Sequence, residues 1–156
     1  MIKIIPYEQK HMTPMFNLIL ETIKKYNKSD FTKSGYEYYI HFYDITRNRN
    51  HLEESIKSND ICYVALDKTK VVGVVRGSKG YCSNLFVDSH YHGQGIGKML
   101  MNAFEKKCKA LGEKEVKIRS SKYAVPFYMA IGYKKTTGLR PYKNLAKALQ
   151  PMKKEL

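Results

Sequence analysis

The chain has little that would tie it to an oxidising compartment or a membrane. Its three cysteines, Cys62, Cys82 and Cys108, are odd in number and show no paired spacing. That excludes a disulfide framework or a zinc ribbon and predicts reduced, mostly buried thiols. No apolar run approaches the roughly 20 residues that span a bilayer, so no membrane partner is expected. The opening Met1-Ile2-Lys3-Ile4-Ile5-Pro6 is too short an apolar run, broken too soon by Pro6, for a secretory signal. Together these absences predict a cytoplasmic location. Acidic residues are scarce: 14 Asp and Glu face 28 Lys and Arg, a formal net charge of +14. Residues 98–156 hold 15 basic and 4 acidic side chains and so carry +11 of it. A polyanionic partner, whether nucleotide cofactor or nucleic acid, accounts for this pattern, and so do solvated lysine-rich helix faces. Repeats, linkers and low-complexity stretches are also missing. With 43% hydrophobic and 27% charged residues, one domain over residues 1–156 is expected, burying about two thirds of its unfolded surface.

What is present is a mixed order of strands and helices. Residues 3–5 read as a short strand, and Thr13-Pro14 as an N-cap followed by proline at the first helical position. Phe16, Ile19, Leu20 and Ile23 recur at helical spacing, so this first helix runs to about Tyr26-Asn27. A second helix is predicted over residues 36–45. One apolar row holds Tyr36, Tyr39, Ile40 and Tyr43, another Tyr38, Phe42 and Ile45. Rings this dense belong in the core or along a cleft. Residues 48–57 read as a short exposed helical segment without evident chemistry. Strands at 60–66 and 71–78 flank a hairpin signal at 67–70, and Val71-Val72-Gly73-Val74-Val75 is continuously apolar, as in a central strand. A strand over 81–87 follows, so three antiparallel strands precede the most informative stretch. Beyond that stretch, Ile96, Met99, Leu100, Ala103, Phe104, Cys108 and Leu111 form a helical stripe closed by Gly112. A strand at 115–120 has the connection length of a parallel neighbour. A short helix at 123–131 and two last strands at 133–139 and 145–154 complete the order.

The informative stretch runs from Leu85 to Leu100: a strand, a turn with Gly93, Gly95 and Gly97 at alternate positions, then an amphipathic helix. Glycines here remove Cβ atoms where backbone N–H groups converge on a helix N-terminus, a concavity suited to phosphate oxygens. The spacing excludes a dinucleotide fingerprint, which needs Gly-x-Gly-x-x-Gly. Gly97-Lys98 is followed by Met99 and not by Ser or Thr, so a P-loop is excluded as well.

The stretch His92-Gly93-Gln94-Gly95-Ile96-Gly97 resembles the Gln/Arg-x-x-Gly-x-Gly/Ala signature of the GNAT superfamily of N-acetyltransferases, with His92 as the departure. A second motif, Ala124-Val125-Pro126-Phe127-Tyr128-Met129-Ala130-Ile131-Gly132-Tyr133, is similar to that family's last-helix motif, and the resemblance extends along nearly the whole chain. Ser121 stands where an asparagine is common. The resemblance implies an α+β fold of three-layer α/β/α type. Its mixed, mostly antiparallel sheet of about seven strands is flanked by helices and splayed at the junction of the fourth and fifth strands. It implies acetyl-CoA as cosubstrate, its pyrophosphate held by His92, Gly93, Gln94, Gly95, Ile96, Gly97 and Lys98. Leu85, Phe86 and Val87 would pair with the pantetheine arm, and Ser121, Ala124 and Phe127 complete the cofactor side.

The implied reaction is direct attack of an amine on the acetyl thioester. The ammonium must first lose a proton, and the departing thiolate is better protonated than expelled bare. The resemblance gives the acid role to Tyr128. No Asp or Glu falls within residues 81–87 or 116–120, so the base stays open among Glu21, Glu37, Asp44, Tyr81 and a water on Ser83. His90 and His92 lack a third ligand, so no metal is expected, and Cys82 reads as a buried hydrophobe. By family resemblance, Tyr26, Phe31, Tyr36, Arg140 and Tyr142 line the acceptor site. The acceptor is an amine of a small molecule, protein or peptide. An enzyme of the toxin type acting on charged tRNA, and an acyl-CoA-binding module without turnover, stay open as alternatives. A homodimer through the last strand is also compatible with the resemblance.

Overall fold

The computed structural model describes residues 1–59 and 61–156. Strand β1 (Ile2–Pro6) leads through a 3₁₀ turn into helix α1 (Met12–Thr22), which passes into a π-helical turn at Ile23–Asn27 and a 3₁₀ turn at Lys28–Asp30. Helices α2 (Lys33–Phe42) and α3 (Ile45–Ser58) follow, then strands β2 (Ile61–Asp67), β3 (Lys70–Ser78) and β4 (Tyr81–Val87). Helix α4 (Ile96–Ala110), strand β5 (Glu115–Ser120) and helix α5 (Val125–Ala130) precede three last strands, β6 (Lys134–Lys135), β7 (Arg140–Tyr142) and β8 (Ala146–Glu155). The sheet order is β1-β2-β3-β4-β5-β8-β6, with β7 also paired to β8. Every pairing is antiparallel except β4 with β5. No helix among the described residues is long and apolar enough to cross a membrane.

The two sheet faces carry separate cores. Phe16, Ile19 and Leu20 of α1 and Ile23 of the π-helical turn meet Leu52 of α3 and Val64 and Val74 on one face. Leu100, Met101, Phe104 and Cys108 of α4 meet Ala65, Val72 and Val75 on the other. A strand covered on both faces loses its alternation, and residues 71–77 of β3 are accordingly all buried. Gly112, at φ +90°, sits just past the α4 C-cap as the spacing predicts.

Several expected boundaries move. The N-cap of α1 is His11, which makes no side-chain cap, and Thr13-Pro14 falls inside the first turn, where proline's missing N–H is harmless. Helix α2 begins three residues before the expected start, because the Thr32 side chain accepts a hydrogen bond from the Gly35 amide. Helix α3 begins at Ile45, capped by Asp44, and buries Ile45 and Leu52; the segment expected to be wholly exposed joins the core. The strand expected from Asp60 starts on a residue outside the described ones. The single strand expected at 133–139 is replaced by two short ones, β6 and β7, which makes eight strands among the described residues, seven of them on the main sheet path.

The candidate acyl-transfer cleft

Strands β4 and β5 run parallel but share one paired position, Tyr81 with Lys117. Beyond it they diverge. A bulge in β4 accompanies the divergence: Arg76 pairs with Asn84 and Gly77 with Cys82, which leaves Ser83 unopposed. A cleft of about 430 Å³ opens there. The bulge interrupts strand alternation, so every residue from Tyr81 to Phe86 reaches the cleft, facing Ile118, Arg119, Ser120 and Ser121 of the other edge.

The glycine turn lies at the end of β4. Gly93 and Gly95 adopt φ of +78° and +76°, and a Cβ on either would meet nothing within 4 Å. Gly97 serves a different purpose: its Cβ would press on the Phe127 ring at 3.1 Å. Close packing of α4 against Phe127 favours glycine at that third position. Among the described residues, the backbone amides of residues 93–98 make no hydrogen bond, while the Met99 amide closes the first helical turn onto the Gly95 carbonyl. Six consecutive open amides at the N-terminus of a 15-residue helix with no acidic residue in its first turn form a ready anion cradle. His92 does not join the cradle through its ring. Its Nε2 lies 3.0 Å from the Val87 carbonyl, an acceptor only, so Nε2 carries the proton and the ring ties the turn back to β4. Ser121 likewise turns locally, its Oγ accepting from the Ala124 amide at the entrance to α5.

Tyr128 reaches the cleft from α5 and is 8% exposed. Its ring is held edge-on between Phe127, at 5.1 Å, and Tyr133, at 5.5 Å. Tyr133 is itself fixed by a hydrogen bond to Glu105, 3.0 Å, and Glu105 by an ion pair with Lys154, 2.8 Å. The Tyr128 hydroxyl has no hydrogen-bond partner among the described residues. Burial, with Cys82 adding to it, raises its pKa well above the ordinary tyrosine range, so it stays a proton donor wherever amines react. Burial also pushes the Cys82 thiol up to about 12, which leaves no thiolate to act as a nucleophile.

The other wall comes from distant parts of the chain. Phe31 pairs as an isolated bridge with Ala146, and Thr32 donates from its hydroxyl to the Asn144 carbonyl, 2.7 Å, and from its amide to the Leu145 carbonyl, 3.1 Å. A Cβ at Gly35 would collide with the same Leu145 carbonyl. Of the five predicted acceptor residues, Phe31 and Tyr142 line the cleft. Tyr26 stands outside beside Ser89, which with Lys25 lowers its pKa. Tyr36 lies under the Lys28 ammonium, and Arg140 donates to the Thr137 hydroxyl at 3.3 Å. None of these three reaches the cleft. The aromatic rows of α2 divide similarly: Tyr39, Phe42 and Tyr43 line the cleft, while Tyr36 and Tyr38 do not.

Among the base candidates, Tyr81 and Ser83 line the cleft, but Glu21, Glu37 and Asp44 do not; Asp44 is occupied by Thr46 and Arg47. Sequence reasoning missed Asp30, Asn27, Arg76 and Asn59, all of which line it. Arg76 had a legible signal, a lone charge at the end of an apolar strand. Asp30 had none. His90 turns to Asp88, which also meets Lys70.

The sequence model of the family described as acetyltransferase (GNAT) domain matches residues 25–156. An N-alpha-acetyltransferase 30 from Schizosaccharomyces pombe is 24% identical over 145 residues, covering 85% of this chain and 84% of that protein. A GCN5-related N-acetyltransferase structure from Rhodopseudomonas palustris superposes with a TM-score of 0.82 at 18% identity, covering 99% of this chain and 95% of that one. A PaiA N-acetyltransferase from Thermoplasma acidophilum, solved in complex with coenzyme A, gives 0.76 at 17% identity, over 100% and 99%. With the match covering most of the chain and the splayed sheet in place, this chain belongs to the GNAT acetyltransferases and is an acyltransferase.

Proposed function

We propose that residues 1–156 act as one catalytic domain that transfers the acetyl group of acetyl-CoA to a primary amine within a ternary complex. The observation that carries this is an unpartnered, protonated Tyr128 hydroxyl on the cleft together with six open amides at residues 93–98, in the turn that follows the cleft strand β4. Acetyl-CoA supplies the thioester. The chain's amides at 93–98 hold its pyrophosphate, and the edge of β4 at Leu85, Phe86 and Val87 offers the main chain along which its arm lies. Ser121 and Ala124, on the approach to α5, and Phe127 within it bound the same side. The amine nitrogen attacks the thioester carbonyl, the C–N bond forms, and the C–S bond breaks with its electron pair moving to sulfur. Tyr128 gives that sulfur its proton and is reprotonated from solvent, while the proton shed by the amine leaves through water held at Ser83 or through Asp30. The aromatic wall of Phe31, Tyr39 and Tyr142 excludes water and favours an approaching ammonium by cation–π attraction.

The relatives include an N-alpha-acetyltransferase and an aminoglycoside 6'-N-acetyltransferase, so likeness alone does not choose the acceptor. The deciding measurement is CoA release from acetyl-CoA across amines, antibiotics, amino acids, peptides and charged tRNA, with the N-acetylated product identified by mass. Acceleration by at least one class is expected. A flat response across the whole panel removes the reading.

A further inference from the structure

The most buried charged group that lines the cleft is Arg76. It is 3% exposed and lies on β3, opposite Asn84 at the β4 bulge. One guanidinium nitrogen donates to Ser55, 3.1 Å to its hydroxyl and 3.4 Å to its carbonyl, and the group lies 5.5 Å from the Phe16 ring. The other two nitrogens, Nε and Nη1, are buried without any hydrogen-bond partner. Among the described residues no carboxylate pairs with it; Asp30, on the cleft wall, accepts instead from Asn27 at 2.9 Å. A guanidinium cannot shed its charge, and a buried one without a counter-charge is costly. Its neighbours in the cleft, Tyr43, Ser55, Asn59 and Asn84, are neutral and polar. A carboxylate forks onto a guanidinium through Nη2 together with Nε or Nη1; with Nη2 already on Ser55, each vacant nitrogen can give an anionic oxygen one charge-assisted hydrogen bond.

Resting on the acyl-transfer reading above, we infer that Arg76 completes its bonding with a carboxylate carried by a reactant, and that the acceptor is therefore an amine bearing a carboxylate, such as an amino acid. The cleft then holds a cation, Arg76, and a carboxylate, Asp30, the complement of a zwitterion between aromatic side chains. The same chemistry could instead enter on the acyl group of the donor, so the test has an arm for each source.

Full-length protein is assayed for CoA release with phenylalanine, phenylalaninamide and phenethylamine. The inference expects kcat/KM for the carboxylate-bearing acceptor to exceed the other two by about tenfold to a hundredfold. Arg76→Gln erases that preference, Arg76→Lys restores part of it, and acetyl-CoA affinity by calorimetry stays within about twofold of the parent in both. The second arm gives phenethylamine with acetyl-CoA or succinyl-CoA. A preference for the succinyl donor that Arg76→Gln removes places the carboxylate on the acyl group and still supports the subsite. Equal rates across all acceptors and both donors overturn it. An assay of the unaltered chain covers variants that fail to fold: the Arg76 Nε–H resonance should shift on adding phenylalanine or succinate and stay still with phenethylamine or chloride. Should no amine accelerate CoA release, acetyl transfer fails as a reading, and the resonance alone decides the subsite; an unmoved signal then overturns it too.

Discussion

The two sides of the cleft are built in opposite ways. The cofactor side is local: β4, the glycine turn and the start of α4 are consecutive in the chain, and its donors are backbone amides. The acceptor side is assembled from a π-helical turn, a 3₁₀ turn and a three-residue strand, joined by contacts between Thr32 and residues 144–145. Its donors and acceptors are side chains. A site made of backbone tolerates sequence change while keeping its ligand, whereas a site made of side chains on irregular backbone can change what it accepts without disturbing the sheet.

The strongest break in this comparison is chemical. Tyr128→Phe should lower turnover by about 10²–10⁴-fold, the range of a general acid, with acetyl-CoA affinity nearly unchanged. Steady-state kinetics beside calorimetry check it, and an unchanged rate would take Tyr128 out of the mechanism. Gly95→Glu strikes the cofactor side alone. A side chain at φ +76° costs about 1–2 kcal/mol, and the added charge opposes a pyrophosphate, so acetyl-CoA affinity should fall by about tenfold or more. Gly35→Ala strikes the acceptor side alone: crowding against Leu145 should cost about 1–3 kcal/mol of stability by denaturant titration and raise the acceptor KM, while acetyl-CoA binding holds.

The smallest effect lies outside both walls. The buried His11 ring accepts the Glu8 amide at Nδ1, 3.0 Å, and burial lowers its pKa, with Glu8 opposing. The folded state therefore resists protonation more than the unfolded chain does. The stability this gives is fully present above the ordinary histidine value of 6.5 and is lost as pH falls through the lowered one. Melting temperatures measured from about pH 8 down to pH 5 should decline below that point, and His11→Gln should flatten the decline.

Legibility followed the same division. The apolar run at 71–75, the stripe of α4 and the turn glycines each follow from neighbours within a few residues, so the sheet centre and the anion cradle could be read directly. The β4 bulge at Ser83 could not, because it depends on register with β3. Family resemblance gives Tyr26, Tyr36 and Arg140 to the acceptor wall, whereas in the structure Tyr26 stands beside Ser89 on the irregular π turn that ends α1, Tyr36 under Lys28 and Arg140 against Thr137. Asp30 enters the cleft through that same irregular backbone, which no periodicity announces. Even the glycines were only partly legible: two supply left-handed backbone, and Gly97 supplies room for Phe127.

The clamp between Thr32 and the β7–β8 connection has a consequence for how the molecule comes into being. Its partners stand 112 and 113 positions apart. On a ribosome, Thr32 must therefore wait through most of the chain's synthesis for its partners, and the clamp that joins Phe31 to Ala146 closes only once the last strand has emerged.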